Sequence, residues 1–166
     1  RRLSAWSDVY KLQRVYMAKY DVNNPKKRVA AISELIDELK LEPTGDPIDV
    51  KPIDEWEFAL IGCERIGKNV KCSVTVKSNY RDRNYKSYPA KAFDEYGYEY
   101  RSRTQQLANK SGGNISTLLI DGIKATGFII FENVSSRAYK FPLLELDVRD
   151  DDLSTTKIQF RDVKIK

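Results

Sequence analysis

Apolar positions change period once along the chain, from helical spacing to strict alternation. In residues 4–20 (SAWSDVYKLQRVYMAKY), Trp6, Val9, Tyr10, Gln13, Tyr16, Met17 and Tyr20 recur three and four apart, which predicts a helix with a broad aromatic stripe. Asn23-Asn24-Pro25 ends it and starts another, with Asn24 as N-cap and Pro25 at the first helical position. The second helix, Pro25 to Leu39, gathers Val29, Ile32, Leu35, Ile36 and Leu39 on one face. Together they predict a helical hairpin over residues 1–41. Its stripe needs a surface to cover it, either within the chain or on a partner. Residues 42–55, with three prolines and a glycine, read as an extended Pro-rich linker.

From Trp56 the period is two. The stretch Trp56 to Tyr80 predicts a hairpin with Gly67-Lys68 as a type II′ turn. That register sets Ile66 against Asn69, Cys63 against Cys72, Ile61 against Val74 and Ala59 against Val76. Lys71, Ser73, Thr75 and Lys77 take the other face. Further strands are expected over 88–93, 98–106, 115–120, 124–132, 143–148 and 157–165, with a polar loop at 109–114. In the last strand the apolar phase slips at Arg161-Asp162, which reads as a bulge. Seven or eight short strands without intervening helices predict an antiparallel β-sandwich over residues 56–166. A five-stranded oligonucleotide-binding barrel fits less well, because the segment offers more strands.

Four motifs follow one another in this half: W-x-F-x-L-x-G-C-x-R-x-G-x-x-V-x-C-x-V-T-V-x-S-N (56–79), A-F-D-x-x-G-x-E-Y (92–100), F-E-N-V (131–134) and Q-F-R-D-V (159–163). Their order over residues 56–165 resembles a cyanobacterial-type module of multidomain and exported bacterial proteins. It is similar to secreted immunoglobulin-like domains of the mycobacterial immunoprotective-antigen type. The resemblance implies an immunoglobulin-like, extracytoplasmic sandwich with no catalytic residues to carry over. The helical hairpin lies outside it.

Composition narrows the chemistry. Histidine is absent from the 166 residues, which removes Ser-His-Asp and Cys-His catalysis and every His-based zinc site. Two cysteines cannot make a thiolate zinc site alone. Cys63 and Cys72 are open to three readings: a cross-strand disulfide, buried thiols or a redox switch, of which the disulfide is favoured and would place the chain in an oxidising, extracytoplasmic compartment. No run approaches the about 18 apolar residues of a membrane helix, so direct membrane insertion is not expected. The start Arg1-Arg2-Leu3-Ser4 lacks a signal-peptide core, and a mature or excised segment is expected.

The net charge of +5 comes from 29 basic and 24 acidic residues, a mixed and solvated surface. The densest alternation of tyrosine with Arg and Lys is residues 79–103, where Tyr80, Arg81, Arg83, Tyr85, Lys86, Arg101 and Arg103 offer stacking faces and cations to an anionic polysaccharide or nucleic acid. Glu145, Asp147, Asp150, Asp151 and Asp152 lack the spacing of a calcium loop and read as turn structure, so no metal or cofactor is expected. The expected function is non-enzymatic: an extracytoplasmic interaction or assembly module that docks a protein partner or its own copies through Trp6, Tyr10, Tyr16, Met17 and Tyr20. Binding of an anionic glycan or nucleic acid by residues 79–103 is the alternative.

Overall fold

The computed structural model describes residues 46–151 and 153–166, which belong to the compact unit Gly45–Lys166. The predicted hairpin 1–41, with Trp6, Tyr10, Tyr16, Met17 and Tyr20, lies outside the described residues. These hold twelve strands and no helix: β1 Asp49–Ile53, β2 Trp56–Ile66, β3 Asn69–Ser78, β4 Arg83–Ser87, β5 Lys91–Phe93, β6 Glu99–Arg101, β7 Thr104–Leu107, β8 Lys110–Gly112, β9 Ile115–Leu119, β10 Lys124–Phe131, β11 Lys140–Arg149 and β12 Thr155–Lys164. They form two antiparallel sheets. The first runs β1-β2-β3-β10-β7-β8; the second runs β6-β5-β11-β4-β9, with β12 also on β11.

The sheets face each other across an apolar core, as a β-sandwich. Phe131 of the first sheet meets Phe141 of the second edge-on at 5.4 Å, and Tyr85 meets Trp56 at 5.8 Å and Phe58 at 6.4 Å. Phe58, Phe131, Phe141 and Phe160 are fully buried, and burial of such a side chain contributes about 2 kcal/mol.

Twelve strands replace the expected seven or eight because four stretches divide or gain pairing. Expected strand 98–106 splits at Ser102, where the chain leaves β6 in one sheet for β7 in the other. β4 and β5 lie end to end along β11, separated by Tyr88-Pro89-Ala90; Pro89 has no N–H for the ladder. The expected polar loop 109–114 contains β8, and part of the expected linker is β1. The sheet therefore begins at Asp49, ahead of the boundary read at Trp56. Pro52 fits there because β1 is an edge strand paired only with β2.

The cysteine hairpin keeps its expected turn. Ile66 faces Asn69, and Gly67 alone of the two loop residues has positive φ, 61°, as a type II′ turn requires. Cys63 and Cys72 are opposite and disulfide-bonded, with Cα atoms 4.0 Å apart. Beyond them the expected register fails. Ile61 is left unpaired in a bulge between Leu60 and Gly62, so Val74 faces Leu60 and Val76 faces Phe58. The extra residue reverses the phase of β2: Trp56, Phe58 and Leu60 on one side of the bulge, and Cys63 on the other, all reach the core.

The slip at Arg161-Asp162 is also real, but it is not a bulge that shifts register. Leu143 pairs with Arg161 and Phe141 with Val163, in one unbroken frame. Between them Asp162, at φ 51°, stands opposite Pro142. Both strands change phase together there, since Phe141 and Leu144 of β11 are buried with Phe160 and Val163 of β12. After Lys164 the chain joins the first sheet: Ile165 bridges Cys63, and Lys166 N–H donates to the Cys63 carbonyl at 2.9 Å.

β10 approaches β7 closely at Gly127, where an added Cβ would lie 2.0 Å from the Gln106 carbonyl oxygen. Gly127→Ala is therefore expected to destabilise the protein by about 2–3 kcal/mol, read as a lower denaturant midpoint at unchanged slope. An unchanged midpoint would contradict this packing.

Candidate functional site

Alternation along β4 divides the expected polyanion residues. Arg83, Tyr85 and Ser87 point into the core, and Asn84 and Lys86 point to solvent. Tyr85 packs between Trp56 and Phe58, and burial pushes its hydroxyl well above the usual tyrosine range. Arg83 lies 5.0 Å over the Trp56 ring and pairs with Glu55 at 3.3 Å and with Asp150. Both are parts of the frame and are not available to a polymer. Tyr80 and Arg81 are exposed in the connection after β3, where Arg81 pairs with Glu55 at 3.3 Å. Arg101 and Arg103 are exposed at the margin of the second sheet, Arg101 in contact with Glu99.

The outward face of the second sheet gathers cations that are scattered in sequence. Lys86 is opposite Arg149, and Lys91 is flanked by Glu145 and Arg101. Glu145 and Asp147 are engaged by Lys157 at 2.9 and 3.2 Å. Among the described residues, Lys86, Lys91, Arg149 and Arg161 have no carboxylate within ion-pair distance. Tyr88 lies in the same face with Lys86 5.7 Å from its ring. A hydrogen bond from Arg149 draws its hydroxyl below the ordinary tyrosine value, helped by the charges of Lys86 and Arg149 and opposed by partial desolvation. Phe93 pairs with Leu143 nearby. Tyr88, Lys91 and Phe93 fall within the stretch 79–103 without being among its named residues, whereas Arg149 and Arg161 lie outside it and reach this face only through strand pairing. The one available signal was the outward phase of the strands.

The remaining buried polar groups close the frame. Gln105 donates to the carbonyls of Tyr88 at 2.8 Å and Gly113 at 2.9 Å, and so ties the two sheets. Ser102 Oγ accepts from Ala90 N–H at 2.8 Å. Asp94 accepts from the N–H groups of Tyr96 and Tyr98 and from the Tyr100 hydroxyl, which burial and Asp94 together hold above its ordinary value. Arg65 donates to the carbonyls of Val134, Ser135 and Ala138. In the acidic cluster, Asp150 faces Arg83 and Asp151 accepts from Asn84; among the described residues no group of acidic side chains is arranged to hold a metal.

No protein-family model matches the chain, and no curated protein matches its sequence. Among solved structures, a family 123 glycoside hydrolase from Clostridium perfringens, described for glycolipid glycan hydrolysis, is similar over 61% of this chain at 14% identity, with a TM-score of 0.34. The chain spans 22% of that enzyme, and a likeness this distant carries no argument about activity.

Two expectations follow from the ion pairs. Arg83→Met strands Asp150 in a nearly closed site and is expected to cost about 3 kcal/mol, while Arg83→Met with Asp150→Leu recovers most of it; equal losses in the single and double variants would contradict the pairing. Hydrogen bonds from Gln159 and Lys157 hold the Glu145 carboxyl below its usual range. Its contribution is complete above the unfolded value of about 4.3 and is lost as pH falls through the lower folded value. Glu145→Gln should therefore narrow the stability gap between neutral and acid pH, measured by denaturation across that range.

Proposed function

We propose that the chain is a non-enzymatic, extracytoplasmic interaction module, an immunoglobulin-like sandwich preceded by a helical hairpin. The hairpin docks a protein partner or a second copy through Trp6, Tyr10, Tyr16, Met17 and Tyr20. The observation that supports it best is how the buried polar side chains are used: Arg83, Asp94, Ser102 and Gln105 each hold a connection or join the sheets. That is the construction of a rigid frame for display. The Cys63–Cys72 disulfide supports an oxidising compartment. Among the described residues no helix is long and apolar enough to cross a membrane.

Docking by an aromatic stripe predicts association that high salt does not weaken and that Tyr10→Ser with Tyr16→Ser abolishes, measured by sedimentation of the full chain. A single-chain mass at every concentration, with both tyrosines unreactive toward nitration, would mean that the chain buries its own stripe.

A second reading has its own support in the four cations on the outward face of the second sheet. An anionic polysaccharide or nucleic acid laid across Lys86, Tyr88, Lys91 and Arg149 would bind with an affinity that falls steeply with salt. Lys86→Glu with Lys91→Glu should then remove retention on heparin resin, and failure of the unaltered protein to be retained at low salt would refute it.

A further inference from the structure

One end of the sandwich collects four connections: residues 54–55, 79–82 and 120–123, and the turn between β11 and β12. They are tied together. Arg83 joins Glu55 to Asp150, and Asn84 holds Asp151. Asp121 N–H donates to Asp82, and Gly122 N–H donates to the Ser78 carbonyl at 2.8 Å. On this end stand Tyr80, 82% exposed, Leu153, 67%, Ile123, 59%, and Ile120, 43%. Apolar side chains concentrated in this way mark contact surfaces.

The backbone adds a second observation. Tyr80 has φ 77° and Leu153 φ 67°, left-handed conformations that glycine adopts freely and large side chains rarely do. Each holds a large apolar group out in water, where it gains nothing from the chain's own core. The surrounding charge is acidic: Asp54, Glu55, Asp82, Asp121, Asp150 and Asp151 outnumber Arg81, Arg83 and Lys124. The outward face of the second sheet has the opposite character, with Lys86, Lys91, Arg149 and Arg161 beside Tyr88 and Phe93.

We propose that the loop end of one copy docks on the outward face of the second sheet of another, Tyr80, Ile123 and Leu153 meeting its aromatic and apolar side chains and the acidic rim meeting its cations. Complementary charge selects this occupant and orients it. Because the two surfaces differ, the contact is heterologous and can repeat from copy to copy. It involves no residue of 1–45 and is separate from docking by the hairpin.

Sedimentation velocity of the full chain carrying Tyr10→Ser with Tyr16→Ser, which removes association through the hairpin, tests it, with ionic strength raised from about 0.01 M to about 1 M so that screening shortens from about 30 Å to about 3 Å. The average mass is expected to rise with concentration at low salt and to return to that of one chain at high salt. Tyr80→Gly, Ile123→Ser and Leu153→Gly together make a loop variant that keeps its fold, since all three side chains are exposed and glycine suits two of the positions. Lys86→Glu with Lys91→Glu makes a face variant. Each alone, in the same Tyr10→Ser, Tyr16→Ser background, should remain a single chain at low salt, and an equimolar mixture should form a one-to-one complex, since one partner supplies an intact face and the other an intact end. A single-chain mass at low salt for the Tyr10→Ser, Tyr16→Ser chain with both surfaces intact overturns the proposal, as does a mixture that fails to associate. In that background, association that survives both high salt and the loop substitutions also overturns it. Heparin retention that the loop variant keeps, with no salt-dependent self-association, assigns the face to an anionic polymer.

Discussion

The two sheets must bury one face each against the other, and every irregularity among the described strands serves that requirement. Phe131 against Phe141, and Tyr85 against Trp56 and Phe58, mark where the faces meet. The unpaired Ile61 lets β2 keep Leu60 and Cys63 on the same side although they are three residues apart. At Pro142 and Asp162 the same result is reached in another way, because both strands reverse phase together and their register survives. Ser102 and Pro89 interrupt the chain where one straight strand would carry its apolar side chains to solvent. A continuous core tolerates local backbone strain better than it tolerates an apolar face in water.

Charge is sorted by the same frame. A guanidinium inside a sandwich needs carboxylates, and Arg83 finds them in Glu55 and Asp150, on connections that are remote in sequence. That pairing draws acidic loops to one end. The outward phase of the second sheet collects lysines and arginines, with Glu145 and Asp147 already engaged by Lys157. A chain whose formal charge is only +5 therefore carries one acidic, apolar end and one basic, aromatic face. Fields of this kind act on encounter and orientation more than on fold stability.

How far the sequence could be read depended on the distance over which each feature is decided. The period-two pattern after Trp56 was sufficient for a mostly β, antiparallel sandwich. The opposition of Cys63 to Cys72 and the Gly67-Lys68 turn needed only a count of residues across a two-residue loop. The alternation in residues 79–103 showed that Arg83 and Tyr85 share a side, but not that this side is the core. A run of tyrosine and arginine looks alike whether it faces solvent or the interior. Arg81 and Lys86 stayed on the surface, whereas Arg83 and Tyr85 became structural.

By itself the sequence determined what local geometry controls: strand character, the hairpin turn and the pairing of the two cysteines. Tertiary structure alone decided the bulge at Ile61, the place of β1 at the sheet edge, the crossing at Ser102, and the gathering of Lys86, Tyr88, Lys91 and Arg149 on one face. Each of these depends on which strand lies alongside, and that neighbour is set by burial of the whole core rather than by residues nearby in the chain.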